Sequence, residues 1–317
     1  MKKYVFIFIA LIAMSQHVCA QGMTATLQSG DSLTVFYGAD AFSAAYFYAN
    51  DGDQITLSAG NFNVPQSNIT KSVKITGVGS CGPSYTSMES LTLTGNDIRV
   101  EGIEVTKRLN ISCSANLILK RCLVGVLEAT SAFYDALFDE TVFISFIKGF
   151  EYSNGFTFKN CTIKTFSGTT NANDVGLVTN CVIYSSGRLP YAIYKNNLLG
   201  YSSTSSSAVI RCEAPSEFYN NVAFSTSSYS VRFNFVTGCL NNDNVVKPYS
   251  QVLDGTESYP AVPKDVPDGD DGTPVGPFGG SGFSLLPSIP YIVSSTIDNS
   301  TNDEGKINVK ITVGVEP

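Results

Sequence analysis

Apolar and polar residues alternate in a short phrase that recurs about every 20 residues between positions 98 and 246. The clearest copies are residues 158–163 (FKNCTI) and 178–183 (VTNCVI), where the alternation changes phase at a central Asn. This pattern predicts two short strands joined by a sharp turn, because successive side chains of a strand point to opposite faces. Asn tolerates the left-handed backbone region that such a turn requires, and we expect its amide to hydrogen-bond to copies in adjacent coils. The central positions are Gly102, Arg121, Glu140, Asn160, Asn180, Asn196, Asn220 and Asn242.

The remainder of each period predicts a third strand, as at residues 109–112, 208–211 and 231–235. Three short strands in each period of about 20 residues, winding upward, form a parallel β-helix. We therefore predict an all-β fold, a single-stranded parallel β-helix (a solenoid). The rule for parallel crossover connections makes it right-handed.

Both ends of such an array need covers, because an open end exposes unpaired strand edges and apolar core. At the N-terminal end, Asp40 is placed to cap a short helix whose apolar residues share one face. Residues 247–283 are rich in Pro, Gly and Asp and predict an extended strap, while residues 284–317 predict a small C-terminal β-hairpin. The β-helix with its cap is expected over 21–246, after a signal peptide over 1–20.

Three segments carry a resemblance to a known family. Residues 52–62 (GDQITLSAGNF) and 73–79 (VKITGVG) look like the first coils of parallel β-helix proteins, and 271–280 (DGTPVGPFGG) is similar to a phrase that closes many secreted bacterial ones. Over about residues 30–250 the chain resembles the right-handed parallel β-helix proteins of the pectate-lyase-like superfamily. The resemblance implies the fold but no single activity, because this fold carries lyases, hydrolases, esterases and non-enzymes alike.

The first twenty residues have the composition of a secretory signal peptide. Lys2 and Lys3 precede an apolar run at 5–14, and small residues lead to a cleavage site after Ala20. The run is too short to span a membrane, and no other segment predicts a span. We expect an exported soluble protein that is periplasmic, cell-surface or extracellular. A lipoprotein anchored at Cys19 is the alternative, but residues 16–18 match its processing signal poorly.

The composition restricts the chemistry available. The only histidine, His17, leaves with the signal peptide, so the mature chain has no His nucleophile partner, His base or His metal ligand. A net charge of −7 and a pI near 4.8 argue against a nucleic-acid partner. Acidic residues at 268–271 hint at calcium, but Gly279 stands where a calcium loop needs a bidentate Glu, so we predict neither metal nor cofactor.

Aligned coils stack equivalent residues into columns, which we assign by alternation. One outward column alternates in charge over Glu101, Lys120, Asp139 and Lys159, and we interpret it as structural. A second outward column is apolar (Leu123, Val142, Thr162, Val182, Leu198 and Val222); we expect the strap to cover it, with a dimer surface as the alternative.

An inward column places Cys161 next to Cys181, for which we favour stacked free thiols over a disulfide. An odd number of cysteines remains after residue 20, so at least one is free or paired between molecules. They are Cys81, Cys113, Cys122, Cys161, Cys181, Cys212 and Cys239.

A third column is basic and is the candidate site. Arg188, Arg211 and Arg232 are spaced by about one coil, and like charges stacked directly repel unless they are neutralised. Glu213 and Glu217 within the chain are one source of neutralisation. The functional alternative is an anionic glycan, because planar guanidinium groups suit carboxylate and sulfate.

Two classes of function follow. We favour an exported, non-catalytic β-helix that binds an anionic polysaccharide or another cell-surface component, and a purely structural envelope role is a further alternative. The competing hypothesis is a polysaccharide lyase or glycoside hydrolase, which needs converging carboxylates or an Arg or Lys base. Asp139 and Glu140 are adjacent to the charge ladder, the carboxylates at 135, 151 and 174 show no consistent stacking, and we assign no catalytic residue. The sequence defines neither the ligand nor the oligomeric state.

Overall fold

A computed structural model describes residues 22–66, 68–82, 84–112, 115–150, 153–167, 175–201, 208–212, 215–225, 231–235, 237–254, 263–285, 291–297 and 309–314. Only the backbone is described at 154, 167, 186–188, 208–209, 211–212, 231, 234–235, 291–297 and 309–314. The predicted signal peptide, with Cys19, lies outside the described residues.

The described chain is a parallel β-solenoid with two long sheets, as predicted. One sheet has twelve strands in the order β2-β1-β3-β5-β7-β9-β11-β13-β15-β17-β20-β23, and the other has ten in the order β24-β21-β18-β16-β14-β12-β10-β8-β6-β4. Each coil contributes one strand to each of these sheets, so strands adjacent in a sheet are about one period apart in sequence. The strands are β1 (Thr24–Ser29), β2 (Ser32–Tyr37), β3 (Gln54–Leu57), β4 (Gly60–Phe62), β5 (Lys74–Thr76), β6 (Thr86–Leu93), β7 (Arg99–Glu101), β8 (Glu104–Ile111), β9 (Ile118–Lys120), β10 (Leu123–Ala129), β11 (Phe133–Asp139), β12 (Val142–Lys148), β13 (Ser153–Lys159), β14 (Thr162–Ser167), β15 (Gly176–Thr179), β16 (Val182–Arg188), β17 (Ala192–Lys195), β18 (Leu198–Tyr201), β19 (Ala208–Cys212), β20 (Glu217–Tyr219), β21 (Val222–Ser225), β22 (Val231–Phe235), β23 (Leu240–Asn242), β24 (Val245–Val246), β25 (Tyr291–Ile297) and β26 (Val309–Gly314).

In the eight coils from β7 and β8 onward, the residue between the two sheets adopts the left-handed backbone conformation, which confirms the predicted turn. Asn160 and Asn180 have φ of 50° and 51°, and Arg121 and Glu140, which are less suited to this region, have 53° and 48°. The last turn was misplaced by one residue, since Asp243 has the positive φ. We call these eight residues the turn column: Gly102, Arg121, Glu140, Asn160, Asn180, Asn196, Asn220 and Asp243.

The predicted third strand is separate only near the C-terminal end. In the earlier coils the strand after the turn is long and continues through a register shift, as in β8, β10 and β12. A shift of this kind inserts an extra residue and re-aims the side chains beyond it. Among the described coils, β19 and β22 supply this third strand as a separate two-stranded parallel sheet, which β16 contacts.

Alternate side chains fill the interior of the coils with apolar groups. Phe138 and Phe158 stack with ring centroids 4.5 Å apart, and Phe150 packs against both. All three are fully buried. Burying one such ring stabilises the folded chain by about 1.5–3 kcal/mol, so the stack is a large part of what joins neighbouring coils.

The N-terminal cap is the predicted helix, α1 (Ala41–Tyr48), together with the antiparallel pair β1 and β2. Asp40 is its N-cap residue but makes no side-chain capping bond; its carboxylate accepts from Asn63 Nδ2 at 2.8 Å instead. At the other end of α1, Lys71 Nζ donates to the carbonyls of Tyr46 and Ala49 at 2.9 and 2.6 Å. A lysine here satisfies carbonyls that the helix leaves unpaired.

The C-terminal strands β25 and β26 form an antiparallel pair, as expected for the hairpin. A second helix, α2 (Tyr249–Val252), begins the described part of the strap. Within the described residues, no helix is both long and apolar enough to span a membrane.

Candidate functional site

The strap follows the corner of the solenoid formed by the turn column. Asn196 Nδ2 donates to Asp270 Oδ1 at 2.9 Å, and the Asn196 carbonyl accepts from Gly276 N–H at 2.9 Å. Further along, Asn160 Nδ2 donates to the carbonyls of Pro277 and Gly279 at 2.8 and 2.6 Å. The amides of Asn160 and Asn196 thus bind the strap, which differs from the expectation that they bond to copies in adjacent coils.

The strap covers the C-terminal half of the apolar outward column, which confirms that expectation for Val182, Leu198 and Val222. Val182, Leu198 and Val222 form a second buried cluster with Leu253 and Val275 of the strap. All five are at most 1% exposed. This part of the column is therefore an internal contact of the chain and is not available to a partner.

A buried ion pair continues the covered corner towards the N-terminal end. Arg121 Nε lies 2.7 Å from Glu140 Oε2, and both residues are buried. Ser284 N–H donates to the same carboxylate oxygen at 3.2 Å. Lys120 Nζ lies 3.3 Å from Asp139 Oδ2, which confirms part of the predicted charge ladder. Asp139 and Glu140 are therefore engaged in structural contacts away from solvent, which leaves them unsuited to act on a polysaccharide.

The inward column continues as hydrogen-bonded side chains. Cys161 N–H donates to Cys181 Sγ at 3.4 Å, and Cys181 N–H donates to Asn197 Oδ1 at 2.8 Å. Asn197 Nδ2 donates to Asn221 Oδ1 at 2.9 Å, and Asn221 Nδ2 donates to Asn244 Oδ1 at 2.7 Å. Each of these hydrogen bonds joins the inward residues of two neighbouring coils, and together they fix the register in which the coils stack.

The thiols of this column are free, as predicted. Cys122 and Cys161 donate to the carbonyls of Lys120 and Lys159 at 3.1 and 3.2 Å. Burial raises the pKa of Cys122 to about 12, and burial followed by the neighbouring Cys181 raises the pKa of Cys161. These thiols are neutral and unreactive groups of the core. Cys113 and the side chain of Cys212 lie outside the described residues.

The acidic loop of the strap is held by protein groups. Lys195 pairs with Asp270 and, with help from Asn196, lowers the pKa of that carboxyl. Asp271 Oδ1 accepts from the Thr273 hydroxyl at 2.7 Å. In the described parts of the chain, no three His, Cys, Asp or Glu side chains are grouped to hold a metal ion.

The register separates the predicted arginine column. Arg232 of β22 pairs with Val209, and Arg211 of β19 pairs with Asn234, so the two arginines lie diagonally, two residues out of step. The sequence alignment, which stacked them directly, was wrong because the loops between coils differ in length. The diagonal spacing on one face is about 7–8 Å, which weakens their mutual repulsion.

Of the three arginines, only the side chain of Arg232 is described, and it is exposed. Glu213 lies outside the described residues. The carboxylate of Glu217 accepts from the hydroxyl of Tyr219 at 2.9 Å. That bond gives Glu217 a partner of its own, next to it on β20.

A charged cluster that the repeat pattern did not reveal lies on β8, β10 and β12 of the ten-stranded sheet, to which β16 with Arg188 also belongs. Glu128 lies between two cations, with Arg108 Nη1 at 2.7 Å and Lys148 Nζ at 2.8 Å. The side chains of Arg108 and Lys148 are 51% and 46% exposed, so both keep donors for a ligand. Phe146, which projects beside them, is 53% exposed. The register shifts in β8, β10 and β12 moved these residues away from a fixed 20-residue alignment, which is why the repeat did not reveal them.

Arg188 continues the line of this cluster. Ile147 pairs with Phe166 and Ser167 pairs with Arg188, so Arg188 follows Lys148 two coils further along. The next strand on this side, β19, carries Arg211. We call this side of the solenoid the basic face; it comprises Arg108, Glu128, Phe146, Lys148, Arg188, Arg211 and Arg232.

A cleft of about 740 Å³ lies beside α1 at the N-terminal end. Its polar lining consists of carboxylates, amides and hydroxyls, without a cation to attract an anionic ligand. The polar residues are Asp40, Ser43, Asn61, Asn63, Gln66, Glu89 and Ser90.

Comparisons of the chain with protein-family models, with curated proteins and with solved structures gave no match.

Proposed function

We propose that this protein is an exported, non-catalytic β-solenoid that binds an anionic polysaccharide through the basic face. The observation that carries the proposal is the exposed pair Arg108 and Lys148 on either side of one carboxylate, Glu128. The described cations outnumber the carboxylate that they share, in a chain whose net charge is −7. An anionic ligand is attracted to such a locally positive strip.

The regular spacing of the coils supports a polymeric ligand. Neighbouring strands lie about 4.8 Å apart, so side chains of successive coils present groups at a constant interval. Phe146, two residues before Lys148 on β12, adds an exposed ring, and aromatic rings present an apolar face to sugars. Arg188, Arg211 and Arg232 extend the strip along the same side. Export is supported by the sequence of residues 1–20.

Binding is favoured over catalysis because the neighbouring carboxylates Asp139 and Glu140 are occupied. Glu140 pairs with Arg121 beneath the strap, and Asp139 pairs with Lys120. A glycosidase needs two carboxylates that face the same sugar linkage.

The test measures binding of polyuronates and sulfated glycans, with and without calcium, by titration at several salt concentrations. Lys148→Ala, Arg211→Ala and Phe146→Ala should each raise Kd by about threefold to fivefold, which corresponds to about 1 kcal/mol or less per exposed contact. Lys264→Ala and Tyr134→Ala are the controls, because both residues are exposed and lie outside the basic face. Added salt should weaken binding, since exposed charges are screened.

The same incubations are assayed for shortened or unsaturated sugar products. Products whose formation Arg211→Ala abolishes would replace the binding proposal with a lyase. Equal loss of affinity in the control variants would remove the basic face as the site. Absence of binding across the whole panel would leave a structural role.

A further inference from the structure

The N-terminal end of the solenoid is an exposed strand edge. β2 is the terminal strand of the twelve-stranded sheet and pairs, among the described residues, only with β1. Its other edge therefore carries backbone N–H and C=O groups beside which no described strand lies. Five of its six residues are exposed and the sixth, Phe36, is partly buried.

Large apolar side chains are concentrated at this edge. Leu33, Val35 and Tyr37 alternate along β2 and are 67%, 40% and 76% exposed. At the end of α1, Phe47 and Tyr48 are 74% and 64% exposed, and Tyr48 stacks on Phe36 with ring centroids 5.8 Å apart. Leu33, Val35 and Tyr37 therefore lie on one face of β2, and Phe36 with Tyr48 lies on the other, so apolar side chains border the free edge on both faces.

The features that normally prevent edge-to-edge pairing are missing from β2. Natural proteins protect such edges with lysine, proline, inward charges or a covering element. The segment at 32–37 (SLTVFY) has no charged residue and no proline. Before β1, the Met23 carbonyl accepts from Gly38 N–H at 2.7 Å, so this residue continues the β1–β2 pairing and does not cover the other edge of β2.

We propose that β2 pairs antiparallel with β2 of a second copy, so that two solenoids join end to end through their N-terminal caps. A two-fold axis perpendicular to the sheet joins the two strands so that the same face of β2 points to the same side in both copies. Residues directly opposite each other then lie on the same face. Leu33, Val35 and Tyr37 meet this condition when the axis passes midway between the two copies of Val35. Val35 then opposes the second copy's Val35, and Leu33 opposes its Tyr37.

A second copy fits this edge because the strand is complementary to itself. Both copies satisfy their free backbone groups at once, over an edge of about 20 Å. Two uncharged strands approach without the repulsion that two acidic chains would otherwise meet. In each copy, the aromatic rings of Phe47 and Tyr48 at the end of α1 lie near the paired strands and add apolar area to a short contact.

The first test is the molar mass of the chain without residues 1–20, measured by light scattering over a concentration series. The mass should rise from that of one chain to that of two, and Val35→Lys should raise the dimer Kd by at least about tenfold, because the two lysines would face each other. Val175→Lys is the matched control, since Val175 is 45% exposed and far along the chain. Leu33→Lys serves as a second variant, and circular dichroism confirms that each variant is folded.

The second test locates the axis. In a Cys81→Ser background, oxidation should cross-link Val35→Cys but not Thr34→Cys, because only position 35 opposes itself in this register. A chain that stays monomeric at every concentration would overturn the proposal, as would a dimer that Val35→Lys leaves intact. If removal of residues 286–317 creates a dimer that the longer chain lacks, the chain's own hairpin is the occupant and the proposal fails.

Discussion

Replacing Asn160 by alanine tests how the strap is held on the solenoid. Asn160 is fully buried and has a φ of 50°. Its amide donates to two strap carbonyls, and its Oδ1 accepts from the hydroxyl of Ser281 at 3.2 Å. Alanine removes all three bonds while the carbonyls of Pro277 and Gly279, both in buried residues, stay in place.

The expected cost has two parts. A buried polar group that loses its partner costs about 1–3 kcal/mol, so two carbonyls account for roughly 2–4 kcal/mol after partial rearrangement. Alanine in the left-handed region adds about 1 kcal/mol relative to Asn. The free energy of unfolding should therefore fall by about 3–5 kcal/mol.

Asn220 provides the matched control. Its φ is 53°, its side chain is half-buried, and it makes no hydrogen bond to the described part of the strap (247–254 and 263–285). Asn220→Ala should cost only about 1 kcal/mol, the backbone part alone. Asn160→Gly isolates the hydrogen-bond part of the cost, since glycine adopts this backbone conformation without strain but has no side chain to bond the strap.

The assay combines denaturant unfolding with hydrogen exchange of the strap amides. A repeat array need not unfold in one step, so exchange at Gly276 and Gly279 reports the strap itself. Both amides should exchange faster in Asn160→Ala and unchanged in Asn220→Ala. Equal losses in the two variants, without faster exchange in the strap, would refute the assignment of the Asn160 amide as a strap anchor.

Three further changes test the interior of the corner and the column. Glu140→Ala should cost about 3–5 kcal/mol in denaturant unfolding, because the Arg121 guanidinium is left buried without its partner, and Arg121→Met in the same chain should recover most of that loss; additive losses would contradict this. Because the pKa of Cys122 is raised to about 12 while an unfolded thiol ionises near pH 8.5, the free energy of unfolding should decline between these values. The decline should be shallower in Cys122→Ala by up to about 1.4 kcal/mol per pH unit, and identical slopes would count against the burial of that thiol. Asn197→Leu should speed hydrogen exchange of the Cys181 amide, whose acceptor it removes; an unchanged rate would exclude that bond.

Local signals in the sequence were enough to predict the coil. The alternation on either side of Asn160 and Asn180 indicates which side chains face inward, which predicted the strands. Asn adopts the left-handed backbone conformation readily, which predicted the turn. The last turn was misplaced because residues 241–244 (NNDN) are all polar and show no change of phase. The cap helix also followed from its apolar face.

The contacts that close the corner could not be predicted, because they join residues far apart in the chain. Asn160 lies 117 residues from Pro277, and no periodicity links a turn residue to a proline-rich segment. The apolar outward column did indicate that something covers it, since such a surface is unfavourable in water. The pattern therefore predicted a cover, while the bonds of Asn160 and Asn196 to it required the structure.

The basic face was only partly predicted, and the reason is register. Alignment by period assumes that every coil has the same length, but β8 and β12 each contain an extra residue, and the loops before β19 and β22 differ. Arg108, Lys148 and Phe146 were therefore never aligned with Arg188, although the sheet brings them to one side. A repeat sequence identifies inward positions well because buried positions accept few residue types. The alignment of outward residues depends on the register shifts and loop lengths of the individual coils, which the repeat does not show.

These two kinds of residue separate stability from binding. Asn160 of the turn column and Asn197 of the inward column make their side-chain hydrogen bonds within the chain, so changes at either residue should alter unfolding and leave glycan affinity unchanged in the folded protein. Lys148 and Phe146 are exposed and lie outside the core, so their replacement should do the opposite. If strap variants that remain folded also lose glycan affinity, the binding surface must include the strap, and the basic face alone would be an incomplete site.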